Sequence, residues 1–398
     1  MTSRGSTKLM ADDLSDLHVD KTLKAVDEAI VLGANFEPRF YLGASKIGHQ
    51  CDRHLWYEFR HTAKNSIDAQ GLRNIADGNL GEDVMADRLK AVEAIELRTI
   101  DKDTGHQYAV IALGGHFRGH LDGALRGLHA APKATHIWEH KQVNEKKFRD
   151  LDRKKEKLGE KNALEAWDET YFAQAQVYMG LMKGCNRHYM TVASPGGRQI
   201  TSVRTNLQKD AFNIYMDKAR HIVEAAEPPG RISSKGDFYI CRWCQFNKHC
   251  HSTQTAEVNC RTCAHSTPTI EKGDVQGTWV CEFHDKKLSK TTQRKGCKKH
   301  LYIPDLIPWG QVKEMDQANN TITYRTNKGT EFVNAEENAW DQKPKHFASK
   351  DLQHIDDTNI DNDELFFEEV AKFKARIVEN KKAKRPTDPE PFDDSIPF

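Results

Sequence analysis

The stretch THIWEHKQV, residues 135–143, decides how this chain folds. It alternates as a strand does, so Ile137, Glu139 and Lys141 face one way and Trp138 and His140 the other. Its apolar residues read as sheet interior, yet an acid and a lysine share one face. Burying such charges costs several kcal/mol unless they are paired or ligated. Just upstream, GHLDGAL at residues 119–125 places Asp122 before Gly123. An acid on one strand, with an acid and a lysine on the next, can hold a divalent cation beside an ammonium. That is equipment for cutting a phosphodiester.

Working outward, an early helix is expected around Leu23 to Leu32, then a helix presenting Cys51, Leu55, Trp56 and Phe59. Residues 69–97 read as helix, interrupted or entered near Gly78 to Gly81. Tyr108 to Leu113 and His116 to Leu125 read as a hairpin around Gly114-Gly115, and 135–143 as a third strand. A charged connection leads to a helix at about 167–182. A strand at Arg187 to Ala193 follows, then a helix from Asp210 to Ala226, ended by Pro228-Pro229-Gly230. This order predicts an α/β fold, a central mixed sheet flanked by helices. Further on, 311–334 suggests a hairpin around Asn319-Asn320, and 364–379 a helix before a Pro-rich, charged and loose tail. The expected organisation is a leader and helix at 1–39, the main domain at 40–252, a cysteine-rich module at 253–310, and a hairpin, helix and acidic tail at 311–398.

With 38% hydrophobic and 29% charged residues, the composition is that of a soluble protein. No apolar run approaches the roughly 18 residues of a membrane helix. The N-terminal segment has no apolar h-region, so no secretory signal is expected. A cytoplasmic location follows (the host cytoplasm if the chain is phage-encoded). Net charge is only +1, because opposed patches cancel. Lys146, Lys147, Arg149, Arg153, Lys154, Lys155 and Lys157 form one basic run. A second spans Lys286 to Lys299, and acid collects from Asp356 to Glu369. Each run is either a DNA-facing patch or a solvated helical face.

Glu82, in GNLGED early in a helix, supplies a third carboxylate to the Asp122 and Glu139 pair. Hard oxygen ligands suit Mg²⁺ or Mn²⁺, and the backbone carbonyl of His140 is a further candidate ligand. Lys141 fits an orienting and electrostatic role better than proton abstraction, since a free lysine with pKa ~10.4 is a poor base at neutral pH. His120 shares a strand face with Asp122, within reach of metal or phosphate. Gln174 and Tyr178 stand one helical turn apart, on one face. They are placed to hold a DNA backbone or to position Lys141.

These residues resemble the PD-(D/E)xK nuclease superfamily, in its branch of phage lambda-type exonucleases, YqaJ-type viral recombinases and RecB-like nucleases. Asp122 matches the motif aspartate, Glu139 and Lys141 the E-x-K, Glu82 the helical acid, and Gln174 and Tyr178 the Q-x-x-x-Y element. Leu121 stands where the motif has proline. The resemblance spans about residues 40–250 and implies a restriction-endonuclease-like fold. It implies Mg²⁺- or Mn²⁺-dependent hydrolysis of double-stranded DNA with a free end, in phage or bacterial recombination or repair. A single-strand annealing recombinase is the partner such an enzyme would serve. The alternatives are a structure-specific endonuclease, an RNA-processing enzyme, or a non-catalytic zinc or iron–sulfur DNA-binding module.

Nine cysteines, locally grouped, read as metal ligands. Cys241, Cys244 and Cys250 form a tight trio for which Cys51 is the candidate fourth ligand. The RecB-like resemblance implies a 4Fe–4S cluster there, with zinc as the rival. Cys260 and Cys263 form a zinc-knuckle half that Cys281 and either Cys297 or His300 would complete. Cys185 reads as packed.

Overall fold

The computed structural model describes residues 20–64, 66–271, 276–337, 345–355 and 360. Two compact units emerge: Met1–Phe59, Lys64–Glu224 and Ile270–Gly277 in one, Arg60–Ala63, Ala225–Thr269 and Thr278–Phe398 in the other. After Glu224 the first unit regains only Ile270–Gly277, so the segment carrying Cys241, Cys244 and Cys250 groups with the second. Composition had suggested a boundary at 252.

The first unit runs α1 (Lys21–Gly33), β1 (Leu42–Gly43), α2 (Asp52–Phe59), α3 (Ala69–Lys90), β2 (Glu96–Arg98), β3 (Ala109–Ala112), β4 (Phe117–His120), β5 (Gly123–Arg126) and β6 (His136–Gln142). It continues through α4 (Glu145–Leu158), α5 (Ala163–Trp167), α6 (Glu169–Leu181), β7 (Arg187–Ala193), β8 (Ile200–Asn206) and α7 (Lys209–Glu224). Short acids and amides start the helices. Asp20, Asp68, Asn144 and Asp168 each accept a backbone N–H of the first turn of α1, α3, α4 and α6.

The main sheet has the order β2-β5-β6-β7-β8, with only β6 and β7 parallel. A parallel pair needs a crossover, and α4, α5 and α6 supply it. Trp138 on β6 packs with Met85, Ala86 and Leu89 of α3, and with Leu97, Leu125 and Leu128. The other face of β6 meets α6, whose residues Phe172 to Met179 are all buried.

Three expectations change. The stretch His116 to Leu125 is not one strand. β4 pairs with β3 in a small β1-β4-β3 sheet, the chain turns at Leu121-Asp122, and β5 joins the main sheet. Helix α3 runs unbroken through Gly78 and Gly81. A Cβ at Gly81 would lie 2.3 Å from Gln142 Oε1, so this glycine allows close approach of α3 to β6 and does not end the helix. The charged connection after β6 is helix α4, which buries Phe148 and Leu151 beneath its basic surface.

The second unit contains α8 (Tyr239–Arg242), α9 (Asn247–His251), β9 (Ser266–Ile270), β10 (Gly277–Cys281), β11 (Lys286–Leu288) and α10 (Lys290–Gln293). It goes on to β12 (Gly310–Asp316), β13 (Thr321–Thr326), β14 (Glu331–Ala335), β15 (His346–Ala348) and α11 (Ser349–Leu352). Strands β9 to β11 form one sheet. The expected 311–334 hairpin is part of a four-stranded sheet, β12-β13-β14-β15. The helix expected at 364–379 and the acidic cluster from Asp361 onward lie outside the described residues. Among the described residues no helix is long and apolar enough to cross a membrane.

Candidate active site

The register of β5 on β6 builds the site. Gly123 pairs with Trp138 in antiparallel fashion, so Asp122, one residue earlier, falls opposite Glu139. Asp122 Oδ2 accepts the His140 backbone N–H at 2.8 Å, which fixes the carboxylate against β6. Glu139 is fully buried. Its Oε2 accepts from Lys141 Nζ at 2.8 Å and from Gln174 Nε2 at 2.9 Å. Its Oε1 is buried without a hydrogen-bond partner. Tyr178, one turn beyond Gln174, donates to His120 O at 2.9 Å.

Electrostatics tie Glu82 to this group. Burial pushes its carboxyl up to about 7, with the nearby Asp122 adding to the rise and Lys141 opposing it. Asp122 is also raised by burial, against the pull of Lys141 and the His140 amide. Glu139 rises for the same first reason, helped by Asp122 and opposed by Lys141. Burial alone would lower Lys141, but Glu139 and Asp122 outweigh it and hold the ammonium charged. Glu82, Asp122, Glu139 and Lys141 are thus one interacting cluster, short of cations for its carboxylates. Glu139 Oε1 is the orphaned oxygen a hard cation would satisfy.

His140 turns its ring to the opposite face of the sheet. Thr191 Oγ1 lies 3.3 Å from Glu139 O, 3.0 Å from Trp138 Nε1 and 3.0 Å from His140 Nδ1. The hydroxyl has one proton, which goes to the Glu139 carbonyl, so it accepts from both rings and fixes the proton of His140 on Nδ1. Burial, then Lys141 and Arg88, push this imidazole down to about 4, so it stays neutral. The residue lines a cavity of about 160 Å³ between α3, the end of β6 and the β7–β8 turn, and its Nε2 is buried without a hydrogen-bond partner. The His140 side chain is therefore no partner of Lys141. Only its backbone lies between the two acid-bearing positions.

His120 is exposed, with its ring 6.3 Å from that of Tyr41. Gln176 is structural, donating to Asn206 O at 3.1 Å and accepting the Gln208 N–H at 2.7 Å. Sequence reasoning missed Tyr171, whose ring centre is 5.8 Å from Lys141 Nζ and 4.3 Å from Lys147 Nζ. Its place three residues before Gln174 and seven before Tyr178 was the available signal. The basic run on α4 is largely engaged. Lys147 pairs with Asp168 at 2.5 Å, Arg153 and Lys154 pair with Asp150, and Lys155 bonds Thr201 Oγ1 at 2.9 Å.

Two substitutions test this geometry. Gln174→Leu removes one of two donors to Glu139 Oε2. Under the metal-dependent reading proposed below, the Mg²⁺ concentration for half-maximal activity should rise about 10-fold, as for other residues that orient a metal ligand. An unchanged requirement would remove Gln174 from the site. Gly119→Ala would set a Cβ 2.3 Å from the buried Tyr178 ring. We expect a loss of about 1–3 kcal/mol in denaturant unfolding, the usual cost of overpacking.

In the second unit, Cys241, Cys244 and Cys250 surround the turn between α8 and α9, where the Cys244 amide donates to Cys241 O at 3.0 Å. Cys51 immediately precedes α2 in the first unit. None of the nine cysteines, all of them among the described residues, is in a disulfide. Among the described residues no group of three or more His, Cys, Asp or Glu side chains is arranged so that it could hold a metal ion.

No protein-family model matches the chain, and no curated protein sequence does. Solved structures similar to part of it include the crystal structure of SSO0001, with TM-score 0.34, 14% identity, and coverage of 59% of this chain and 99% of that one. Another is an alkaline exonuclease (LHK-Exo) from Laribacter hongkongensis, with TM-score 0.31, 15% identity, and coverage of 49% and 90%. Likenesses this faint carry no argument, and the functional reading rests on the site itself.

Proposed function

We propose that this chain is a Mg²⁺- or Mn²⁺-dependent deoxyribonuclease, and specifically an exonuclease acting on duplex DNA ends in recombination or repair. The observation that carries the reading is Glu139. It is a fully buried carboxylate with one oxygen clamped by Lys141 and Gln174 and the other unpartnered, beside Asp122. A buried acid left half-satisfied is costly unless a ligand completes it.

In this reading Glu139 and Asp122 would hold the cation, with Glu82 and the His140 carbonyl as further oxygen donors. A cation held there would supply charge neutralisation for the phosphate and activation of the attacking water. Lys141 stays protonated, so it orients the attacking water and stabilises charge building on the phosphoryl oxygens. Gln174 keeps Glu139 in its rotamer, and Tyr178 braces the strand end that leads into Asp122.

Cys241, Cys244 and Cys250, with Cys51 as fourth ligand on sequence grounds alone, are assigned in the same proposal to a 4Fe–4S cluster. The support is donor chemistry, since soft thiolates select Fe–S or zinc. Anaerobic purification with iron and acid-labile sulfide analysis tests it, and zinc without iron would replace it.

The activity test compares linear duplex with covalently closed circular DNA in Mg²⁺ and in chelator. Loss of linear DNA only, and only with metal, is expected. Cutting of the closed circle would make the enzyme an endonuclease. No cleavage of either, with DNA binding retained, would favour the non-catalytic module.

A further inference from the structure

We propose that Cys260, Cys263, Cys281 and Cys297 bind one structural Zn²⁺ in the second unit, with His284 and His300 outside the ligand set. The four thiols line a single cavity of about 80 Å³. Cys260 and Cys263 bracket a short 3-10 turn that is fixed before any ligand arrives. Asn259 Oδ1 accepts the backbone N–H groups of Arg261 and Thr262 at 2.9 and 3.2 Å. The Asn259 side chain also donates to His61 O at 2.9 Å.

The other two sulfurs come from separate elements tied back to this turn. Cys281 ends β10 opposite Lys286 of β11, and the next amide, Glu282 N–H, donates to His265 O at 2.8 Å. Cys297 follows α10. Gln293 on that helix accepts both Nε and Nη2 of Arg261 at 3.0 and 2.8 Å, and Cys260 Sγ lies 3.1 Å from Lys295 O. A knuckle, a hairpin end and a post-helix segment thus present four soft donors to one space, the donor set of a closed tetrahedral zinc site. Four thiolates around one dication leave negative charge, and Lys286 and Lys299 line the same cavity to offset it.

The histidines are otherwise engaged. His284 Nε2 is 3.7 Å from Cys297 Sγ, the range of a hydrogen bond to sulfur. His300 Nε2 is 3.0 Å from Asn259 O, so its proton is committed there, and its unpartnered Nδ1 is the main competitor of Cys297. Cys297 is favoured because the segment that carries it is held against the knuckle, with Lys295 O, two residues earlier, 3.1 Å from Cys260 Sγ. The four cysteines line the cavity without being gathered at bonding distance, and zinc would have to draw their sulfurs to about 2.3 Å. This site is independent of the nuclease reading, and its readout is metal content.

The test is zinc counted in the purified full-length chain by mass spectrometry. The Cys260→Ser/Cys263→Ser double variant and Cys297→Ser should each hold one equivalent less than wild type. His284→Gln, His300→Gln and the control Cys244→Ser should keep it. Variants that misfold are bypassed by titrating wild-type protein with a mercurial thiol reagent beside a zinc-sensitive dye, where one equivalent should appear as the four thiols react. Equal zinc in wild type and the double variant would overturn the proposal. So would no dye response, iron with sulfide on these cysteines, a disulfide among them, or loss of the equivalent in His300→Gln but not in Cys297→Ser.

Discussion

Glu139→Gln should lower metal-dependent DNA hydrolysis by about 10³-fold or more while leaving the fold intact. The substitution keeps the shape of a fully buried side chain and removes its charge. Gln174 and Lys141 lose a charged acceptor, and Oε1 becomes an amide group of little use to a hard cation. Single groups that stabilise transition-state charge are worth about 10²–10³-fold, and a ligand that also holds the metal belongs at or above the top of that range. Stability should not fall with activity. A buried carboxylate pays for desolvation, which burial expresses as a raised pKa, and Lys141 still has Asp122 as a counter-charge. The check is a single-turnover assay beside a thermal melt. DNA binding should persist. Wild-type cleavage by the variant would end the nuclease reading.

The second large effect falls on stability. Arg60 and Arg261 stack on the buried Trp279 indole, their guanidinium carbons 4.9 and 4.6 Å from its ring centre. Arg60 donates to Arg261 O at 3.3 Å and to Ser266 O and Ala225 O, each at 3.0 Å. Burial pushes this guanidinium down to about 9, which still leaves it charged at neutral pH. Arg60→Met keeps apolar bulk but strips donors from three carbonyls, at about 1 kcal/mol or more each, and a cation–π contact of about 1–2 kcal/mol. Relief of the repulsion between Arg60 and Arg261 returns part of this. We expect a net loss of about 3 kcal/mol, seen as a fall of roughly 6–12 °C in the unfolding of the second unit. Arg60→Lys should recover little, because an ammonium cannot reproduce the planar fork. A melt within about 2 °C of wild type would show that the stack contributes little.

What could be read in the sequence was what periodicity carries. Strand β6 announces itself by alternation around misplaced charges, and Gln174 and Tyr178 by helical spacing. The turn at Leu121-Asp122 was not legible, because sheet partnership is a long-range choice and GHLDGAL alternates smoothly through it. Helix α4 was hidden by its lysines and arginines. Its narrow buried stripe, Phe148 and Leu151, is minor beside them, although Asn144 and Gly159 mark its two ends. Strand β8 escaped because an edge strand needs few apolar residues, and ITSVRTN buries little beyond Val203 and Thr205. Glycines 78 and 81 suggested a break that the packing of α3 on β6 overrides.

The nuclease reading requires that Glu139 and Asp122 jointly hold a hard divalent cation. Crystals of the full chain soaked in Mn²⁺, measured for anomalous scattering, test it directly. A peak is expected about 2.1 Å from Glu139 Oε1 and from an Asp122 oxygen, absent from Glu139→Gln crystals. Saturating Mn²⁺ with no peak at these oxygens, in protein that cleaves DNA, would contradict it.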